Sequence, residues 1–90
     1  MSNLSVKDAA GLHKLCQQWL KGEAKGIKFS SIVASGLQIL GLSAKKFARV
    51  FHNDPETITR WAKGTQKPQL KLIERLAVKY IAQRARKAMG

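Results

Sequence analysis

The sequence predicts an all-α fold, a compact bundle of about five helices. Ala, Leu, Lys, Gln and Arg, which favour helices, dominate the composition. Apolar residues recur three or four positions apart, which is the period of a helix and not of a strand. Because 44% of the 90 residues are hydrophobic, the chain can bury one modest core as a single domain.

The first helix is predicted over residues 6–21 and is followed by a connector. Ser5 and Asp8 have the spacing of a capping box, with Asp in place of the usual Glu or Gln. The apolar side of this helix comprises Val6, Ala9, Leu12, Leu15, Cys16, Trp19 and Leu20. Residues 22–28 contain two glycines and two lysines, which predicts the connector.

The second helix is expected to begin at a serine cap and to end at a glycine. Ser30 or Ser31 supplies the cap, and Gly41 follows the last helical residue, Leu40. The apolar positions between them are Ile32, Val33, Leu37, Ile39 and Leu40.

A short polar turn separates the third and fourth predicted helices. Ser43 caps the third helix, over residues 44–51, and residues 52–54 form the turn. The fourth helix, over residues 55–63, begins after Asp54, whose carboxylate is expected to accept from its first N–H groups. Two short helices joined in this way form a helix-turn-helix, whose second helix fits the DNA major groove.

The last helix is predicted over residues 69–81, after a loop at 64–68. Its apolar stripe comprises Leu70, Ile73, Leu76, Ala77, Tyr80 and Ile81. Residues 83–90 are basic and weakly apolar, and we expect them to fray. The predicted organisation is an N-terminal helix and connector at 1–28, a helix-turn-helix domain at 29–82 and a basic tail at 83–90.

The charge of the chain favours a polyanionic partner. Seventeen Lys and Arg against five Asp and Glu give a formal net charge of +12. Residues 41–90 hold twelve of the basic and three of the acidic side chains, a balance of +9. Nucleic acid is the commonest polyanion, so this asymmetry indicates DNA or RNA binding, with a solvated basic face as the alternative.

The outward face of the fourth helix carries the residues predicted to read bases. With Ile58 and Trp61 inward, the outward residues are Pro55, Glu56, Thr59, Arg60 and Lys63, with Thr57 at the flank. All of these except Lys63 are predicted to read bases. Arg60 can donate two hydrogen bonds to guanine O6 and N7, a contact worth about 1–3 kcal/mol of discrimination. For Glu56 two interpretations stay open: it accepts from cytosine N4, or it complements the helix dipole.

The stretch from Leu42 to Pro68 carries the pattern GLS, F-A and T-I-T-R-W-x-x-G-x-x-K-P. This pattern resembles the XRE-type helix-turn-helix family, which includes phage Cro and repressor proteins. The resemblance implies four or five helices, operator binding as a dimer and control of transcription, and it supports the base-reading positions above. Together with two exposed lysines of the third helix, it gives as phosphate contacts Ser43, Lys45, Lys46, Lys63, Thr65 and Lys67.

The chain departs from the family pattern in the turn and in a charged pair. His52 stands where the family usually has Gly, and Asn53 where it usually has a buried aliphatic residue. Leu37 and Ala62 occupy the positions of an Arg–Glu pair that is frequent in the family. Because both charged partners are replaced together, no lone buried charge is expected.

No metal, cofactor or catalytic site is predicted. His13 and Cys16 lie three residues apart, but a structural zinc site needs four ligands and no second pair is visible. Cys16 is expected to be a small core residue, and Trp19 and Trp61 are expected to pack in the core rather than stack on bases. With no catalytic triad and no phosphate-binding glycine loop, the chain is not expected to be an enzyme.

The sequence favours a cytoplasmic protein. With a single cysteine, Cys16, no intrachain disulfide can form, which fits a reducing compartment. No apolar run approaches the ~18 residues that span a membrane, and no signal peptide is recognisable. We therefore expect no membrane partner.

The features together predict a sequence-specific regulator that binds double-stranded DNA. The favoured form is a repressor that binds a palindromic operator as a homodimer, through its first helix or its last. An antitoxin-type interaction module that also binds its own promoter is the alternative, and a sequence-neutral architectural protein is a third. Whether the last helix also touches DNA stays open for its cations, Lys71, Arg75, Lys79, Arg84, Arg86 and Lys87.

Overall fold

The computed structural model describes residues 8–89, which form five helices and no strand. The helices are α1 (Ala9–Leu20), α2 (Phe29–Leu40), α3 (Ala44–Val50), α4 (Pro55–Lys63) and α5 (Lys71–Ala88). They pack into a body of 28 × 28 × 23 Å. The predicted all-α class and the number of helices are confirmed.

Helix α1 begins later than predicted because Asp8 is its N-cap. The backbone of Asp8 is extended, and its carboxylate accepts a hydrogen bond from the Gly11 N–H at 2.9 Å. An Asp at this position satisfies a free N–H group and complements the positive end of the helix dipole. The predicted helical start at residue 6 is therefore wrong, and the predicted cap, Ser5, lies outside the described residues.

Helix α2 begins at Phe29, so the prediction of a serine cap is wrong. Lys28 occupies the N-cap position, and no side chain of the described residues caps the start of this helix. Packing fixes this start instead, because the Phe29 ring is 6% exposed and lies 5.9 Å from the Trp61 ring in an edge-to-face arrangement. The helix ends as predicted, with Gly41 left-handed at φ 63°.

Helices α3 and α4 lie close to their predicted positions. Ser43 caps α3 by accepting a hydrogen bond from the Lys46 N–H at 3.0 Å, and Pro55 occupies the first turn of α4. The expected role of Asp54 is only half right. Its backbone has the extended conformation of an N-cap, but its carboxylate makes no capping hydrogen bond in the described part of the chain. Helix α4 ends at Gly64, which is left-handed at φ 81°.

Helix α5 continues seven residues beyond its predicted end, and the prediction of a fraying tail is wrong for residues 83–88. Ala82 and Ala85 are buried, and α5 packs along α1 over most of its length. Small side chains at this spacing let the two helix backbones approach closely. Two residues of the predicted apolar stripe, Leu70 and Leu76, are instead 62% and 40% exposed.

The inner face of α4 is held by the core. Ile58 and Trp61 are 0% and 2% exposed, which confirms their predicted inward orientation. The Trp61 ring lies edge-on to Phe47, with ring centroids 6.4 Å apart, and Phe47 lies edge-on to Tyr80 at 5.2 Å. Because α2, α3 and α5 all hold this aromatic cluster, the opposite face of α4 is fixed toward solvent.

Candidate nucleic-acid interface

The open face of α4 carries the residues predicted to read bases. Pro55, Glu56, Thr59 and Arg60 are exposed, directly opposite the buried pair Ile58 and Trp61. A strongly amphipathic helix of nine residues therefore presents one side to the core and the other to solvent.

Thr57 differs from the other predicted base-reading residues. Its side chain is half-buried at the flank of α4 and lines a small cavity together with Asn53, Pro68 and Ile73. It therefore lies beside the open face rather than on it.

The two charged residues of this face bind each other. Arg60 Nη2 donates to Glu56 Oε1 at 2.7 Å, across one helical turn. The side chains are 49% and 73% exposed, so the pair adds only about 0.3–0.5 kcal/mol to stability. Its larger effect is orientation, because the carboxylate holds one edge of the guanidinium and leaves its other N–H donors free. In the unbound chain Glu56 therefore holds the Arg60 guanidinium, and the two interpretations of its role, base contact or dipole complement, stay open.

Thr59 has already used its only hydroxyl proton. Its Oγ1 donates to the Pro55 carbonyl at 3.2 Å, within the helix. A hydroxyl bound in this way can still accept a hydrogen bond, and its methyl group stays available for apolar contact. Thr59 is thus suited to meet an amino group or a thymine methyl group, but not to donate to a base.

The turn between α3 and α4 is well formed despite its departures from the family pattern. His52 is left-handed at φ 54°, the conformation for which glycine is usually chosen. The Asn53 N–H bonds to the Ala48 carbonyl at 2.9 Å, and the His52 N–H to the Arg49 carbonyl at 3.4 Å, which is the pattern of a Schellman motif. Asn53 is exposed, and its side-chain amide donates to the Phe51 carbonyl at 3.1 Å.

The six predicted phosphate contacts fall into two groups along the chain. Ser43, Lys45 and Lys46 are exposed at the start of α3, where the Ser43 hydroxyl accepts from a backbone N–H but can still donate. The other group lies at the end of α4 and in the loop after it, and it comprises Lys63, Thr65 and Lys67, all exposed. The Thr65 N–H bonds to the Arg60 carbonyl at 3.1 Å, so this loop is tied directly to the end of α4.

A cleft that the sequence did not predict lies next to the second group. It has a volume of about 480 Å³ and lies between the start of α2 and the loop after α4. Lys28 and Ser30 line it from one side and Lys63 and Lys67 from the other. The residues come from positions more than 30 apart in the sequence, so no local pattern could have brought them together. We call it the lysine cleft.

Among the α5 cations, Arg75 has a structural role. Its Nη1 donates to the Leu20 carbonyl at 3.2 Å, at the C-terminal end of α1. Lys71, Lys79, Arg86 and Lys87 are exposed, and Arg84 is half-buried. The two interpretations of the sequence therefore stay open for these five residues, whereas Arg75 joins α5 to α1.

Cys16 is a core residue, as predicted. It is 0% exposed, and burial raises the pKa of its thiol to about 12, so the group is neutral at physiological pH. Residues 8–89 contain no group of three or more His, Cys, Asp and Glu side chains arranged to hold a metal ion. None of the helices within this range is both long and apolar enough to cross a bilayer.

Comparisons with protein-family models, with curated proteins and with solved structures found no match to this chain. The case for a function therefore depends on the chemistry of the surfaces described above.

Proposed function

We propose that this protein is a sequence-specific regulator of transcription that binds double-stranded DNA through α4. One observation carries the proposal. The helix has its inner face locked in an aromatic core, while its outer face presents Arg60, oriented by Glu56 at 2.7 Å. A rigid helix with an oriented guanidinium is the element that reads base edges in the major groove.

The electrostatics of the chain support DNA as the ligand. The net charge is +12, and each of the two groups around α4 contributes lysines that are free to meet phosphates. Each phosphate that is neutralised releases counterions, so binding should weaken steeply as salt rises. A dimer that contacts ~6–10 phosphates loses about 10³–10⁵ in affinity between 50 and 200 mM salt.

The assignment of contacts follows from the chemistry of each side chain. Arg60 donates to guanine O6 and N7 with the N–H groups that Glu56 leaves free. Pro55 and the Thr59 methyl group supply apolar contact, for which the thymine methyl group is the partner. Lysine contacts to phosphates set the position of the protein on the duplex but carry no sequence information.

An apolar patch on α5 supports a homodimer. Leu72 and Leu76 lie one turn apart and are 62% and 40% exposed, and Val50, at the end of α3, is 46% exposed. Leu76 and Val50 border an apolar groove of about 430 Å³, together with Ile73 and Tyr80. Exposed apolar patches of this kind mark interaction sites. Helix α1 is the weaker candidate of the two predicted dimer surfaces, because its apolar side is directed into the core.

The same patch gives the antitoxin alternative its support, since an apolar groove can take a different protein. Sedimentation of the purified chain separates the two proposals. A dimer that Leu72→Glu dissociates supports the regulator, whereas a monomer that forms a stoichiometric complex with one protein from its host supports the antitoxin.

Random-site selection followed by sequencing tests the proposed function directly. We expect a palindromic consensus whose half-sites are centred about one helical turn apart, roughly 34–36 Å. Selection that enriches no sequence would reject a base-reading role and leave only sequence-neutral binding.

A further inference from the structure

The lysine cleft has the composition of a site for a phosphate group. Lys28, Lys63 and Lys67 line it, and Glu74 is the one acidic residue among the described residues of its lining. Two hydrogen-bonding side chains, Ser30 and Gln66, complete its polar lining. Three ammonium groups against one carboxylate leave a net positive charge that favours an anion.

The backbone on both sides of the cleft is suited to an anion. Helix α2 has 12 residues, its first turn contains no acidic residue, and its N-cap residue Lys28 makes no side-chain capping bond within residues 8–89. Because the Ser31 N–H already bonds to the Lys28 carbonyl at 3.1 Å, this end offers a ligand the N–H groups of Phe29 and Ser30 and the positive end of the helix dipole. Gly64 brings the opposite wall close, since a Cβ at that position would lie 3.3 Å from the Ser30 Oγ.

The remaining wall of the cleft is aromatic. Trp61 contributes to it and is itself 2% exposed. Trp19 and Phe29 form the rest of the aromatic wall, with ring centroids 6.3 Å apart.

We propose that the lysine cleft binds a phosphate of the DNA backbone, with Lys28 and Ser30 as contacts supplied from outside the helix-turn-helix. The proposal rests on the proposed function and extends it to the connector and to α2. Lys63 is the last residue of α4 and Lys67 lies in the loop after it, so a duplex that contacts α4 brings its backbone to the mouth of the cleft. The start of α2 then adds a second contact to the backbone of the same DNA strand.

The test is the salt dependence of binding to a short duplex, measured by fluorescence anisotropy with the full chain. Lys28→Ala should reduce the steepness of log K against log salt by about 0.9 for each protomer bound, which weakens binding about eightfold at 0.1 M salt. For a dimer on both half-sites, the slope should fall by about 1.8 and the affinity by about 60-fold. Ser30→Ala removes a neutral hydroxyl, so it should weaken binding while the slope stays unchanged. Because Ser30→Ala keeps the Cβ that faces Gly64, it should preserve the fold.

Lys14→Ala is the matched control for Lys28→Ala. Lys14 is exposed on α1, does not line the cleft and is not among the residues predicted to contact DNA. It carries the same charge, so the difference between the two variants isolates the cleft from the loss of one unit of net charge. Equal slopes for Lys28→Ala and Lys14→Ala would overturn the proposal.

Titration with inorganic pyrophosphate tests whether the cleft binds a phosphate of the DNA backbone or a free phosphate. Trp19 and Trp61 are the two tryptophans of the chain and both line the cleft, so their emission reports its occupation. We expect a change on adding duplex that Lys28→Ala diminishes. A response to pyrophosphate alone, with duplex binding unaffected by Lys28→Ala, would overturn the assignment to DNA. If random-site selection enriched no sequence but Lys28→Ala still weakened duplex binding and its salt dependence, only the base-reading function would be rejected.

Discussion

Replacing Arg60 by alanine tests the base-reading role most directly, and its consequences for folding should be small. The Arg60 side chain is 49% exposed, and its one ion pair, with Glu56, is on the surface. Loss of such a pair costs about 0.3–0.5 kcal/mol, which for a domain of this size lowers Tm by at most about 4 °C. Any larger effect on DNA binding therefore arises at the interface.

The expected effect on recognition is much larger than the effect on stability. A bidentate Arg–guanine contact contributes about 1–3 kcal/mol of discrimination, which corresponds to roughly 5- to 140-fold in relative affinity. Arg60→Ala should lose this preference at one base pair of each half-site and keep the preferences at other positions. Glu56→Gln should lose part of it, because the neutral amide holds the guanidinium less firmly.

Competition binding measures this prediction. A labelled duplex with the selected site is displaced by duplexes that differ at single base pairs, for the wild type and for each variant. Arg86→Ala is the control, since Arg86 is exposed near the end of α5 and its loss changes the net charge equally. If Arg60→Ala kept the full preference at every base pair, the assignment of α4 as the reading helix would be refuted.

Three further predictions concern stability. Gly36→Ala would place a Cβ 3.1 Å from Ile81 Cγ2 between α2 and α5, and such crowding costs about 1–3 kcal/mol. Ala gains about 1 kcal/mol over Gly inside a helix, so we expect a net loss of up to about 2 kcal/mol in urea unfolding, and a net gain would contradict the tight packing at this position. His52→Gly should relieve a left-handed His and raise stability by up to about 1 kcal/mol; a lower Tm would show that the imidazole stabilises the turn. The buried Cys16 thiol stabilises the fold fully below its unfolded pKa of 9.0, and this contribution is lost as pH rises toward about 12, at up to about 1.4 kcal/mol per pH unit. This loss of stability should be absent from Cys16→Ala. If the free energy of unfolding varied with pH in the same way in the wild type and in Cys16→Ala, the prediction would be contradicted.

The elements that could be predicted from the sequence are those fixed by local signals. Ser43, Pro55 and Gly64 each determine a helix end through hydrogen bonds or dihedral angles within a few residues. The same is true of the open face of α4, which follows from the inward spacing of Ile58 and Trp61. Local signals at the helix ends and the helical period of apolar residues were enough to predict these features.

The predictions that failed depend on contacts between distant residues. The start of α2 is fixed by Phe29 against Trp61, and the end of α5 by the burial of Ala85 where this helix packs on other helices, so neither can be recognised from neighbouring residues in the sequence. The lysine cleft was missed for the same reason. In contrast, the Glu56–Arg60 pair lies at i,i+4 and could have been recognised from the sequence.

The packing of α1 on α5 has a consequence for the order in which the chain folds on the ribosome. Arg75 reaches the Leu20 carbonyl from 55 positions away, and the buried side chains Leu12 and Cys16 belong to a helix whose main partner is α5. Helix α1 is synthesised before α5 and stays without that partner until residues 71–88 have emerged. The nascent chain therefore carries a helix with an uncovered apolar side while residues 21–70 are made, and the pairing of α1 with α5 forms only after α5 is released.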